Sequence, residues 1–215
     1  MAIIDILHWT ASAGWIVLSG GADAGGEIRS MALRRIKAHG GVAYLGFNEA
    51  SADATLEDME DLGAPTGYLV NIVTEDDESI QDQLVSASMI VIDDSVTADE
   101  WRGSLPGAAV EGMREALEHS AVILAEGTGA MALGGYILSD EGQFTEGLSW
   151  LQKAFILPGV ASPTDSEMAR RLLEADPKAI VVSIGIGSAL ALGADGQIEV
   201  WGERQVAIAL GRDYQ

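Results

Sequence analysis

Short continuous apolar runs alternate with stretches whose apolar residues recur at helical spacing. "WIVLSGG" (15–21) precedes "EIRSMALRRIKAHGG" (27–41), and "VAYLGF" (42–47) precedes an acidic helical stretch ending near Leu62. "GYLVNIV" (67–73) leads to "ESIQDQLVSA" (78–87), "MIVID" (89–93) leads to "AAVEGMREALEHS" (108–120), and "AVILA" (121–125) is the fifth such run. Val/Ile/Leu strands of this length, separated by helices, predict a parallel sheet covered on both faces, because right-handed crossovers place helices on both sides.

The last third follows a different rhythm. A helix over "DSEMARRLLEA" (165–175) is followed by "AIVVSIG" (179–185), "SALALG" (188–193), "QIEVWG" (197–202) and "QVAIAL" (205–210), with connections too short for crossover helices. "GADGQ" carries the Asp-Gly signal of a hairpin. The expected fold is therefore α/β: a three-layer α/β/α sandwich with a mainly parallel sheet and a C-terminal antiparallel meander. With no repeat, low-complexity tract or linker, residues 1–215 read as one domain.

Composition narrows the partners. Of 215 residues, 48% are hydrophobic, enough for a sizeable core, while 33 acidic against 12 basic residues give a formal charge of −21. That charge repels phosphates and anionic lipid surfaces, so neither nucleic acid nor membrane is an expected partner. The absence of cysteine excludes disulfides, thiolate metal sites and a cysteine nucleophile. The apolar N-terminal stretch lacks a basic lead and contains Asp5, and is read as folded and cytoplasmic.

Candidate chemistry centres on "AVILAEGTGAMALGGYIL" (121–138), a buried strand entering a glycine turn and a small-residue helix. In many α/β hydrolases such a turn holds a nucleophile in a strained backbone, with small neighbours that avoid collision. Here the apex falls at Gly127, or at Thr128 or Gly129 if the register slips, and offers no serine or cysteine.

The order of elements and several motifs resemble the cyanophycinase and aspartyl dipeptidase family of serine peptidases, within the class I glutamine amidotransferase-like fold. The likeness rests on "LSGGADAGGE" after the first strand, on "TGAM" (128–131) in the turn, and on "SIGIGSALALGADGQIEVWGERQVAIAL" (183–210). It covers most of the chain. It implies a serine elbow, a glycine-rich oxyanion turn after the fourth strand, and a histidine shortly after Leu-Pro-Gly-Val. This sequence departs at all three places. The serine position becomes Gly127, the oxyanion turn becomes "IDDSVTADEW" with Asp93 and Asp94, and "LPGVASPTDSEMARRLL" (157–173) contains no histidine. A serine hydroxyl needs a base within hydrogen-bond reach, and carboxylates near a developing oxyanion oppose it. The expectation is a fold that keeps the turn without the catalytic apparatus.

Substitutes are few. Of three histidines, His39 and His119 close predicted helices at the amino edge of the next strand, and His8 lies in the N-terminal lead-in. Thr128 is a β-branched candidate nucleophile with no evident base, and Ser95 and Ser162 are more remote alternatives. Glu126 either binds a cation in the pocket or faces solvent. Gly20 and Gly21 form a tight turn at the carboxyl edge, with no P-loop lysine nearby, so no cofactor is expected. Asp93, Asp94, Asp99 and Glu100 suit a hard cation only weakly, and no metal is expected. Trp101 is the tryptophan placed to line a pocket. The candidate ligand-binding set is thus Gly20, Gly21, Asp93, Asp94, Trp101, Glu126, Gly127 and Thr128. Three functional readings follow: an inactive peptidase-like protein that binds a small ligand or protein near the turn, a hydrolase with a displaced nucleophile, and a structural assembly such as a homodimer paired through an edge strand.

Overall fold

The structure is a computed structural model, which describes residues 7–10, 13–21 and 26–214. The predicted alternation is present: β1 (Trp15–Ser19), α1 (Glu27–Leu33), β2 (Val42–Gly46), α2 (Glu49–Asp61), β3 (Gly67–Asn71), α3 (Asp77–Val85), β4 (Met89–Ile92), α4 (Ala98–Ser104), α5 (Ala108–Glu118) and β5 (Val122–Glu126). The chain continues through α6 (Thr128–Ala132), β6 (Gly134–Leu138), β7 (Phe144–Glu146), β8 (Leu151–Pro158), α7 (Glu167–Ala175), β9 (Ile180–Ile184), β10 (Ser188–Leu192), β11 (Ile198–Gly202) and β12 (Val206–Leu210).

These strands form two sheets. The larger has the order β11-β10-β1-β5-β4-β2-β3, in which β1 through β5 run parallel and β10 and β11 antiparallel. The smaller has the order β12-β9-β8-β6-β7. The expected antiparallel meander divides between the sheets: β10 and β11 form a hairpin at the edge of the larger sheet, whereas β12 pairs antiparallel with β9 in the smaller sheet, where β9 also runs parallel to β8.

Period-2 geometry explains the layering, since alternate residues of a strand face opposite ways. In β1, Trp15 and Val17 face α1 and α2, joining Ile28, Ala32, Ala52 and Met59. Ile16 and Leu18 face the other way, into the main core with Leu84, Met113 and Leu117 and with Ile156, Val182 and Ile184 of the smaller sheet. That sheet's opposite face, with Phe155, Leu157 and Val181, is covered by Ala169 and Leu172 of α7. The layers are thus helices, the larger sheet, a layer shared by helices and the smaller sheet, and α7.

Helix α1 ends at Leu33, six residues before His39, so His39 does not close it. His119 does cap α5, as expected, at the amino edge of β5. Helix α4 lies in the stretch where the resemblance implies a turn, and is started by a capping box in which Thr97 and Glu100 satisfy each other's backbone N–H. Among the described residues, no helix is long and apolar enough to cross a membrane.

Candidate functional site

The carboxyl ends of β1, β4 and β5 lie side by side, because Leu18 and Ile92 both stand in parallel register with Ala125. Open α/β sheets place ligands at this edge. The turn after β5 has the expected strand-to-helix shape, with Gly127 at φ 52° and ψ −120° between β5 and α6. A non-glycine residue is strained in that conformation. Gly129 is required for a different reason: a Cβ there would stand 2.7 Å from the Asp93 carbonyl and 2.8 Å from that of Ile92, so its absence lets α6 approach β4.

Three members of the candidate set meet at the apex. A Cβ built on Gly127 would lie 2.6 Å from the Asp94 Cβ and 3.0 Å from Asp94 Oδ2, while one on Gly21 would lie 3.9 Å from the Gly127 Cα and 3.8 Å from Asp94 Oδ2. Gly127 is buried and Asp94 is exposed. The Asp94 side chain therefore occupies the volume into which a residue-127 side chain would project. The Gly127 N–H is also committed, donating to the Ser19 carbonyl at 3.1 Å.

The remaining candidates have other tasks. Glu126 neither opens into a pocket nor faces solvent. It is buried, and Arg29 of α1 grips it through two parallel bonds, Nε to Oε1 at 3.2 Å and Nη2 to Oε2 at 2.8 Å, with Arg29 Nη1 reaching Asp58 at 2.9 Å. The Thr128 hydroxyl donates to the Val96 carbonyl at 2.6 Å, which ties α6 to the β4 loop. Trp101 lines no pocket, since it is fully buried, lies 4.9 Å from the Phe47 ring, and donates its indole N–H to the Asp93 carbonyl at 3.1 Å. Gly20 is a packing position: a Cβ there would be 2.2 Å from the Gly185 carbonyl, where β1 meets the smaller sheet. Residues 22–25 of the glycine-rich turn, like the N-terminal stretch through residue 6, lie outside the described residues.

The acidic residues of the β4 loop do not converge. Asp99 bonds to Arg102 at 2.8 Å and 2.9 Å, Glu100 belongs to the α4 capping box, and Asp93 accepts from the Ser95 N–H at 3.0 Å and from the Tyr44 hydroxyl. Among the described residues, no three His, Cys, Asp or Glu are grouped to hold a metal. Burial, reinforced by the Asp93 carboxylate, pushes the Tyr44 pKa above its ordinary 10.0. A raised folded pKa means a contribution to stability that is complete below about pH 10 and lost as pH rises through the folded value. Tyr44→Phe is thus expected to lower stability at neutral pH, by loss of the bond to Asp93, yet to show a flatter alkaline decline, read as denaturation midpoints measured upward from about pH 9.

No histidine stands near the apex. His119 precedes β5, and the five residues of that strand separate it from Gly127 by roughly 15 Å. His39 precedes β2, and His8 accepts through its carbonyl from Gln152 at the start of β8. The loop after β8 does come close, as a Cβ on Gly159 would lie 3.9 Å from the Gly20 carbonyl, but its hydroxyls, Ser162 and Thr164, bond to each other at 2.8 Å.

No protein-family model matches the chain, and no curated protein sequence matches it. Solved structures do. A peptidase from an acI-B1 actinobacterium superposes with a TM-score of 0.76 at 16% identity, over 94% of this chain and 93% of that one. A putative peptidase E protein from Listeria monocytogenes EGD-e superposes with a TM-score of 0.65 at 12% identity, over 88% and 98% of the two chains. At these identities the likeness shows a shared peptidase-like fold.

Proposed function

We propose that this chain is a cyanophycinase-like protein without serine peptidase activity, which uses the region of the former elbow to bind a small ligand or a protein partner. The observation that carries this reading is the Asp94 side chain over a glycine apex: the space for a nucleophile is filled by an acceptor-only carboxylate. Electrostatics agree, since a carboxylate at that corner destabilises the oxyanion that acyl transfer generates. With Glu126 neutralised by Arg29, Asp94 is the exposed charge at the apex, and it favours a cationic group on whatever binds.

A displaced nucleophile has less support. Thr128 spends its hydroxyl on a backbone carbonyl, and neither Ser95 nor Ser162 has a histidine beside it. The test is incubation with aspartyl dipeptides, other dipeptides and a fluorophosphonate probe. The expected result is neither turnover nor covalent label. Hydrolysis abolished by Thr128→Ala, or a label mapped to Ser95 or Ser162, would overturn the reading.

A further inference from the structure

A cavity of about 620 Å³ opens on the face of the smaller sheet that α7 covers, where β6, β7 and β8 run beneath the end of that helix. It is away from the elbow and built by an irregularity. Between Gly134 and Tyr136 the pairing of β6 with β8 shifts from Leu151 to Phe155, so β8 spends extra residues and bulges at Gln152 and Lys153. Lys153 sits at φ 56° and Ser149, also on the rim, at φ 57°. Two of the five non-glycine residues with positive φ among the described residues therefore border one cavity. Gly135 accommodates the bulge, because a Cβ there would lie 2.5 Å from the Lys153 nitrogen. Bulges re-aim side chains and strain gathers at working sites.

The bulge places exposed Lys153 in the lining of the cavity, together with acidic Glu146 and Asp176 and apolar Phe144 and Leu172. Glu146 pairs in register with Tyr136 across β6 and so faces the same way, and Phe144 and Leu172 supply apolar surface. Asp176, at the end of α7, is already held by the Tyr136 hydroxyl and by the Lys178 N–H at 2.8 Å. These bonds hold its carboxyl below the ordinary range, and burial with the Asp176 bond pushes the Tyr136 hydroxyl up to about 12, so the pair stays one neutral phenol and one carboxylate. Lys153 and Glu146 are exposed and make no side-chain hydrogen bond or ion pair among the described residues, although the Lys153 charge also favours the Asp176 carboxylate. They rise from β8 and β7, whose backbones flank β6 and lie about 10 Å apart, two strand spacings.

We propose that this cavity binds an elongated zwitterion, an ω-amino acid or a similar molecule with its carboxylate and ammonium at opposite ends of an apolar spacer. Lys153 takes the carboxylate, Glu146 takes the ammonium, and Phe144 and Leu172 cover the spacer. A simple anion would meet two carboxylates, and a simple cation would leave Lys153 opposing it.

Calorimetric titration with 6-aminohexanoate and 8-aminooctanoate tests this, with hexanoate and hexylamine as single-charge controls. At least one zwitterion should bind saturably with one site per chain, and each control should bind about tenfold more weakly or not at all. Lys153→Gly removes the charge while keeping the backbone unstrained, and Glu146→Gln keeps the shape, so both should fold and both should weaken binding about tenfold. Absence of saturable binding into the millimolar range, equal affinity for the controls, or affinity unchanged in both variants would overturn the proposal. So would loss of binding in Asp94→Asn with retention in Lys153→Gly, which would place the zwitterion at the elbow.

Discussion

Arg29→Met is expected to destabilise the protein by about 3–5 kcal/mol, because it strands the Glu126 carboxylate inside the fold without its cation. Glu126 ends β5 in the middle of the larger sheet with 8% of its side chain exposed, and the Arg29 side chain is only 18% exposed. At that depth the cost of a lone charge greatly exceeds what the pair contributes over two apolar residues, so the asymmetry is the diagnostic. Removing both charges together, in Arg29→Met with Glu126→Leu, should recover most of the loss. Chemical denaturation of the two single variants and the double variant gives the cycle, with a coupling of several kcal/mol expected. Purely additive losses would mean that the two side chains do not depend on each other. The Arg29 to Asp58 bond, whose acid is 69% exposed, should add little, and Asp58→Asn should fall within about 1 kcal/mol of the parent.

This ion pair marks where reading the chain as a string stops. The parallel strands were legible because β1, β2, β4 and β5 are buried on both faces and so read as unbroken apolar runs. The glycine turn was legible because Gly127 is bracketed by a strand and small residues, and its φ is positive. Glu126 was not, since its partner lies 97 residues away on a helix whose charge pattern gives no sign of it. Strands β6 and β8 were hidden for a local reason. β6 opens on two glycines, and β8 is interrupted by exposed Gln152 and Lys153 where it bulges, so neither presents a regular period. The smaller sheet as a unit is therefore not legible, and β9 and β12, although expected as strands, belong to it and not to a meander with β10 and β11. Helix α4 could have been found, since Thr97 and Glu100 carry the capping-box spacing. Asp94 is placed near the turn only through the resemblance; its position directly over Gly127 follows from β4 and β5 being neighbours, which no local pattern in the chain shows.

Gly127→Ser, the change that would restore a hydroxyl to the elbow, is expected to cost about 2–6 kcal/mol and to yield no peptidase activity. Two contributions add. Holding a serine at φ 52° and ψ −120° costs about 1–3 kcal/mol of backbone strain, and its Cβ must displace an atom 2.6 Å away, an overpacking that costs about 1–3 kcal/mol more. The atom in the way is the Asp94 Cβ, which cannot swing aside by rotating χ1, so the clash is relieved only by moving the β4 loop or deleting the side chain. Asp94→Gly in the Gly127→Ser background should therefore recover about 1–2 kcal/mol, leaving the backbone strain behind. Thermal melts of the single and double variants measure this directly. A Gly127→Ser protein as stable as its parent would mean that the turn does not have this geometry or that Asp94 does not cover it. Even the double variant has a serine without a base, since His119 remains at the far end of β5. Fluorophosphonate labelling should stay at background, because a hydroxyl without an acceptor for its proton is a poor nucleophile at neutral pH.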